Sequence, residues 1–230
     1  MHGGIMYNLK NNPILLSYQV KLLKTFVSTD FSNTFYLTGG TALAAFYFAH
    51  RDSKDLVFFS HQSYNSIILD SVVYKLSQAT NSVINTKVKT DNYNEIYLEN
   101  KTEGWTQRID IVEDIPKRFG KLVEIDEVRI DSLENIGSNK ILTIFGRTEP
   151  KDFIDLYFIL NNSQLTFEYL FQLAKQKDLG LSEFYLANSI SQIETIRTWP
   201  VTKSPLNVKL LVNFYQKLAQ ILYEQIKPQD

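Results

Sequence analysis

The spacing of apolar residues changes texture twice along the chain. Leu15, Val20, Leu22, Leu23 and Phe26 form an imperfect helical stripe after Pro13, which predicts a helix over Pro13–Val27. Short apolar runs of the buried-strand kind follow at Thr34–Leu37 and Leu56–Ser60. Between them lies Thr41–Phe48, an Ala-rich segment of helical composition. Ile67, Ile68, Val72, Val73 and Leu76 fit an amphipathic helix over Tyr64–Gln78. From Val83 to Val112 the texture turns to β. Val83–Lys89, Glu95–Glu99 and Gln107–Val112 read as strands parted by turn-rich Asp91–Asn94 and Lys101–Gly104, and Leu122–Val128 reads as one more edge strand. After Arg129 helices take over. Asp131 or Ser132 caps one that runs to Phe145, Gly146 stops it, and Pro150 opens the next, through Leu160. Phe167–Lys177, Ser182–Ser189 and Val208–Ile226 complete the series. The expected fold class is α/β (α+β): a mixed sheet flanked by helices over residues 1–130, then a helical half over residues 131–230.

Composition narrows this picture. With 230 residues, 44% of them hydrophobic, the chain can build a substantial core. A net charge of −1 leaves no global basic footprint for nucleic acid. Absence of cysteine excludes disulfides and thiolate-bound metals, and the three histidines do not fall at zinc-ligand spacing. No signal-type leader is visible, and no apolar run nears the roughly 20 residues that span a bilayer. A cytoplasmic protein without a membrane partner is expected.

Candidate chemistry is concentrated in Phe35–Ser60, FYLTGGTALAAFYFAHRDSKDLVFFS: a strand, a glycine turn, a helix and a second strand with a carboxylate at its entrance. Gly39 and Gly40 let the backbone come close to a ligand, and the helix start behind them offers free N–H groups to an anion. Asp55 is placed to hold a Mg²⁺ that accompanies a nucleoside triphosphate. The same glycines would serve a plain strand-to-helix turn, Asp55 would serve as a turn residue beside Ser53, and Thr41 reads equally as a cap or as a hydroxyl donor to phosphate. Arg51 fits either a phosphate contact or a turn brace. Asp110 is more telling. Alternation puts it on one face with Arg108 and Val112, opposite Ile109 and Ile111, so a carboxylate sits in a strand otherwise built for burial. Such a group needs a paired cation or a metal. Further on, Lys140, Arg147 and Lys151 can meet triphosphate charge. Asp152 and Asp155, three apart on one helix face, can orient those lysines or transfer protons, though an ordinary charged helix start would look the same.

Together, Gly39-Gly40-Thr41-Ala42-Leu43-Ala44 and then His50-Arg51-x-Ser53-x-Asp55-Leu56-x-Phe58-Phe59 resemble the AbiEii/AbiGii-type nucleotidyltransferase toxins of the DNA polymerase β-like superfamily. Asp131 to Lys140 in DSLENIGSNK, and the run Arg147–Asp155, are similar to that family's later motifs, so the resemblance covers about Phe35 to Leu160. It implies a nucleotidyltransferase-type sheet, a nucleoside triphosphate as substrate, and Mg²⁺ or Mn²⁺ held by Asp55 and Asp110. It implies catalytic roles for Asp55, Asp110, Lys140 and Asp155, and nucleotide binding by Gly39, Gly40, Thr41, Arg51, Arg147 and Lys151. Similar proteins pair with a cognate antitoxin, and some transfer nucleotides to tRNA 3′ ends, which makes both candidate partners here. One departure matters. The family pattern Asp-Leu-Asp-Phe reads Asp55-Leu56-Val57-Phe58 in this chain. Loss of a carboxylate shared by two ions is expected to depress activity on the order of 10²-fold or more. The alternative expectation is a non-catalytic nucleotide-binding or protein-interaction module that keeps the fold.

Overall fold

The first helix starts later than its apolar stripe suggests. In the computed structural model, which describes residues 6–226, the Asn12 side chain accepts the Ile14 and Leu15 amides and holds Pro13 in a turn. Helix α1 therefore spans Ser17–Val27 rather than Pro13–Val27, with the Gln19 side chain reaching back to the Leu16 amide. A similar correction applies to the next amphipathic helix. Asn65 accepts the Ile67 amide, so α3 runs Ser66–Thr80 rather than from Tyr64.

Seven strands make one mixed sheet: β1 (Tyr36–Thr38), β2 (Leu56–Ser60), β3 (Val83–Lys89), β4 (Tyr93–Asn100), β5 (Trp105–Glu113), β6 (Val123–Ile125) and β7 (Val128–Ile130), in the order β3-β4-β5-β2-β1-β7-β6. β2 runs parallel to β5 and β1 to β7, and the remaining pairs are antiparallel. The single edge strand expected over Leu122–Val128 is instead a hairpin. Asp126 and Glu127 both take positive φ, 49° and 67°, which folds the chain back on itself in two residues. Asp126 is held there by the Leu9 amide, which donates to its carboxylate at 2.7 Å. At the opposite edge, β3 carries a bulge between Thr86 and Val88.

Between β1 and β2 the chain forms α2 (Gly39–Ala42), which widens into a π-helical turn over Leu43–Phe48. The Ala49 amide closes that turn on the Ala44 carbonyl, and Ala49 leaves it with φ 50°. The expected start at Thr41 thus falls two residues inside the helical segment. Its small side chains, Ala42, Ala44 and Ala45, are fully buried.

The two faces of the sheet differ. Leu37, Phe58, Ile96, Leu98, Ile109 and Ile111 are buried, with α1 and α3 packed together beside them and Phe26 stacked on Phe58 at 4.1 Å. On the opposite face Val57, Phe59, Arg108, Glu95 and Tyr97 keep partial exposure, in step with the alternation of β2 and β4.

The chain packs as two compact units, divided between Ser132 and Leu133. The second is helical: α4 (Leu133–Gly146), α5 (Pro150–Asn162), α6 (Phe167–Lys177), α7 (Glu183–Ser191) and α8 (Val208–Ile226). Pro150 occupies the first turn of α5, and Thr166 and Ser182 cap α6 and α7 through their hydroxyls. Leu211, Tyr215, Leu218, Ala219 and Leu222 form the buried stripe of α8. The Tyr215 hydroxyl donates to the Phe153 carbonyl at 2.7 Å, tying α8 to α5.

Candidate active site

One row across the sheet in the first unit carries Asp110 and the position of Val57. Thr38 lies opposite Val57, Val57 opposite Asp110, and Asp110 opposite Glu95. Residues so paired share a face with Cβ atoms about 5 Å apart, so Val57 sits directly between Thr38 and Asp110. Asp55 precedes Val57 by two residues and reaches the same face at the mouth of β2. Its carboxylate has no hydrogen-bond partner among the described residues.

The glycine turn borders this row. Gly39 has φ 72°, and a Cβ built there would lie 3.9 Å from the Val57 side chain. Gly40 is crowded instead: a Cβ would fall 2.5 Å from an Arg51 guanidinium nitrogen and 3.1 Å from Ser53 Oγ. Thr41 is 1% exposed, its hydroxyl donates to the Asp55 carbonyl at 2.6 Å, and it lies 2.8 Å from Ser53 Oγ. These bonds fasten the helix start to the entrance of β2 and so fix the backbone that carries Asp55. Arg51 is likewise buried and donates to the Asp52 carbonyl at 2.9 Å.

Asp110 is 8% exposed and is gripped by its own strand neighbour, Arg108, whose Nε lies 3.0 Å from Oδ1. Burial pushes the Asp110 carboxyl above the usual carboxylate range, Arg108 pulls it back, and the charges of Glu95 and Asp55 push it up again. The Asp110 bond in turn holds the Arg108 guanidinium firmly protonated. Glu95 was not among the residues singled out by sequence. Its only signal is alternation in β4; the register that sets it against Asp110 is a long-range property. Sequence marks Ser53 only as a turn neighbour of Asp55.

A second group of expected residues lies in the helical unit. Lys140 of α4 is buried, with its ammonium 2.7 Å from Asp152 and 2.6 Å from Asp155, both fully buried on α5. Arg147 places Nε and a terminal nitrogen 2.8 Å from the same Asp152 oxygen. Lys151 is half-buried at the start of α5. Asp131, which opens the motif ending at Lys140, belongs to the first unit, where Thr38 donates to its Oδ2 at 2.6 Å and the Ser132 amide to its Oδ1 at 2.9 Å.

The donor set limits what ion this face can take. Asp55 and Asp110 offer hard oxygen ligands, and Mg²⁺ is commonly held by one or two carboxylates with substrate phosphates completing its shell. Among the described residues no group of three or more His, Asp or Glu is arranged around a common metal position. The residues present fit one such ion and do not fit a second.

A mixed sheet that sets two carboxylates beside a strand–glycine turn–helix unit is a nucleotidyltransferase-type fold. Residues 21–199 match the family described as nucleotidyl transferase AbiEii toxin, type IV toxin–antitoxin system, and the chain belongs to that family. A candidate nucleotidyltransferase from H. pylori is similar in structure, with a TM-score of 0.61 at 20% identity, over 92% of this chain and 96% of that one. JHP933 from Helicobacter pylori is similar at a TM-score of 0.59 and 18% identity, over 91% and 90%. At these identities the likeness is one of fold. No curated protein gives a significant match. None of the described helices is long and apolar enough to cross a membrane.

Proposed function

We propose that the chain transfers a nucleotidyl group from a nucleoside triphosphate to an acceptor hydroxyl, with tRNA as the acceptor and Mg²⁺ or Mn²⁺ as the ion. The observation that supports this is the alignment of Asp55 and Asp110 on one sheet face beside the Gly39–Gly40 turn. In the reaction the acceptor oxygen attacks the α-phosphorus, the bond from that phosphorus to the bridging oxygen of the β-phosphate breaks, and pyrophosphate leaves. A bound divalent ion neutralises charge on the triphosphate and polarises its phosphoryl oxygens. Asp55 and Asp110 hold that ion, Gly39 and Gly40 give the triphosphate room against the backbone, and Thr41 keeps Asp55 in register. Nucleotide-binding roles for Arg51, Arg147 and Lys151 rest on the family motifs, as do those of Lys140 on phosphate and Asp155 as the base that takes the acceptor proton. A cognate antitoxin is the proposed partner, on the description of the family. The proposed place is the cytoplasm, where triphosphates and tRNA are found.

Val57 stands where the family pattern has a carboxylate, so the chain is expected to be slow. Labelled CTP, GTP, ATP or UTP with Mg²⁺ and total tRNA tests this directly. Val57→Asp is expected to raise labelling on the order of 10²-fold. Equal labelling by both chains would mean that position 57 is not a ligand position. The second reading, a non-catalytic nucleotide-binding or protein-interaction module, is favoured by Val57 itself. It predicts that calorimetry detects triphosphate binding while neither chain transfers.

A further inference from the structure

Around Asp110 the open face of the sheet carries three carboxylates, Asp55, Glu95 and Asp110, and one close cation. The Arg108 guanidinium lies 2.9 Å from Glu95 Oε2 and 3.0 Å from Asp110 Oδ1. Tyr93 closes the ring: its hydroxyl accepts from Arg108 at 3.2 Å and donates to Glu95 at 3.1 Å. Glu95 and Asp110 are direct partners on β4 and β5, so both acids converge on one guanidinium from adjacent strands. Burial does not force the arrangement, since the Arg108 side chain keeps 34% exposure. On the other side of Asp110 stands Val57, where the family pattern has a carboxylate. Three acids and one guanidinium leave two negative charges, and a single divalent ion neutralises those.

We propose that Arg108 occupies the place of a second cation, so that the site takes one divalent ion, through Asp55 and Asp110, where two-metal nucleotidyl transfer takes two. The first ion rests on the nucleotidyl-transfer reading above, and the exclusion of the second rests on the Arg108–Glu95–Asp110 ring. A guanidinium cannot be chelated or exchanged, and its planar fork holds both acids in a fixed geometry. It supplies one positive charge in place of two and offers no open coordination position to a ligand.

Counting bound Mn²⁺ by electron paramagnetic resonance tests the idea without relying on turnover. The unaltered chain is expected to bind one Mn²⁺. Arg108→Met frees Glu95 and Asp110 and is expected to raise the count to two. Glu95→Gln added to that variant returns it to one, while Arg108→Lys, which keeps the charge, stays at one. Circular dichroism melting of each variant checks that the fold is retained. Two ions in the unaltered chain, or a single ion in Arg108→Met, would overturn the proposal. Calorimetry with a nucleoside triphosphate distinguishes the two levels of failure. Triphosphate binding with two ions overturns only the role of Arg108. Binding of neither Mn²⁺ nor triphosphate overturns the nucleotidyl-transfer reading and the proposal together.

Discussion

Gly39 and Gly40 are neighbours that are glycine for unlike reasons. At Gly39 there is room for a methyl group, but φ is 72°, so Gly39→Ala strains the backbone at a cost of about 1–2 kcal/mol. At Gly40 φ is unexceptional and the obstacle is the buried Arg51 guanidinium 2.5 Å away, so Gly40→Ala costs about 1–3 kcal/mol through crowding. Urea unfolding midpoints of the two variants check both figures. Sequence shows that two glycines follow a strand; it does not show which of them is held by dihedral and which by a neighbour. The same limit applies to Thr41. Whether its hydroxyl caps, binds phosphate or fastens Asp55 depends on where Ser53 and the Asp55 carbonyl return after a twelve-residue excursion, and the structure gives it the last of these bonds. The burial of Asp110 and its need for a partner were legible, because an acid inside an alternating apolar strand stands out; that the partner is Arg108 was one of two open alternatives. Glu95 was not, because an acid on a half-exposed strand face looks ordinary until its partner across the ladder is known.

At the level of elements, the α4–α5 pair is joined by an ion cluster rather than by apolar contact alone. Lys140 pairs with two fully buried carboxylates, Asp152 and Asp155, while Arg147 reaches Asp152 alone, and removing Lys140 leaves one buried negative charge uncompensated. Lys140→Met is therefore expected to destabilise the protein by about 3–5 kcal/mol, measured by denaturant unfolding followed in the far ultraviolet. Lys151→Ala, at the half-buried start of α5, is expected to stay within about 0.5 kcal/mol. Of the two lysines, Lys151 is thus the cleaner probe of any phosphate contact, since a loss of activity there is not confounded with loss of fold. Element types were largely legible, and long amphipathic stripes such as that of α8 gave their bounds as well. Three of the misses share one cause. At Asn12, Asn65 and the Asp126–Glu127 turn, a short polar side chain or a left-handed backbone overrides the hydrophobic period, and such local bonding leaves little trace in spacing.

For the whole molecule, a net charge of −1 and a sequence pI near 6.3 mean that little electrostatic repulsion keeps copies apart near neutral pH. Solubility measured against pH at low salt is expected to pass through a minimum close to pH 6.3 and to rise on either side. The mixed sheet has two outer strands, and each is ill suited to recruit another chain. β6 is only three residues long, and β3 is bent by its bulge, with Lys87 at the bulge and Lys89 beyond it. Strand-by-strand growth between copies would have to straighten that bulge and bring lysines of one copy against those of the next. The irregular β3 thus acts as a safeguard against fibre formation: what precipitates near the isoelectric point should redissolve on a change of pH, as an amorphous deposit of folded molecules does.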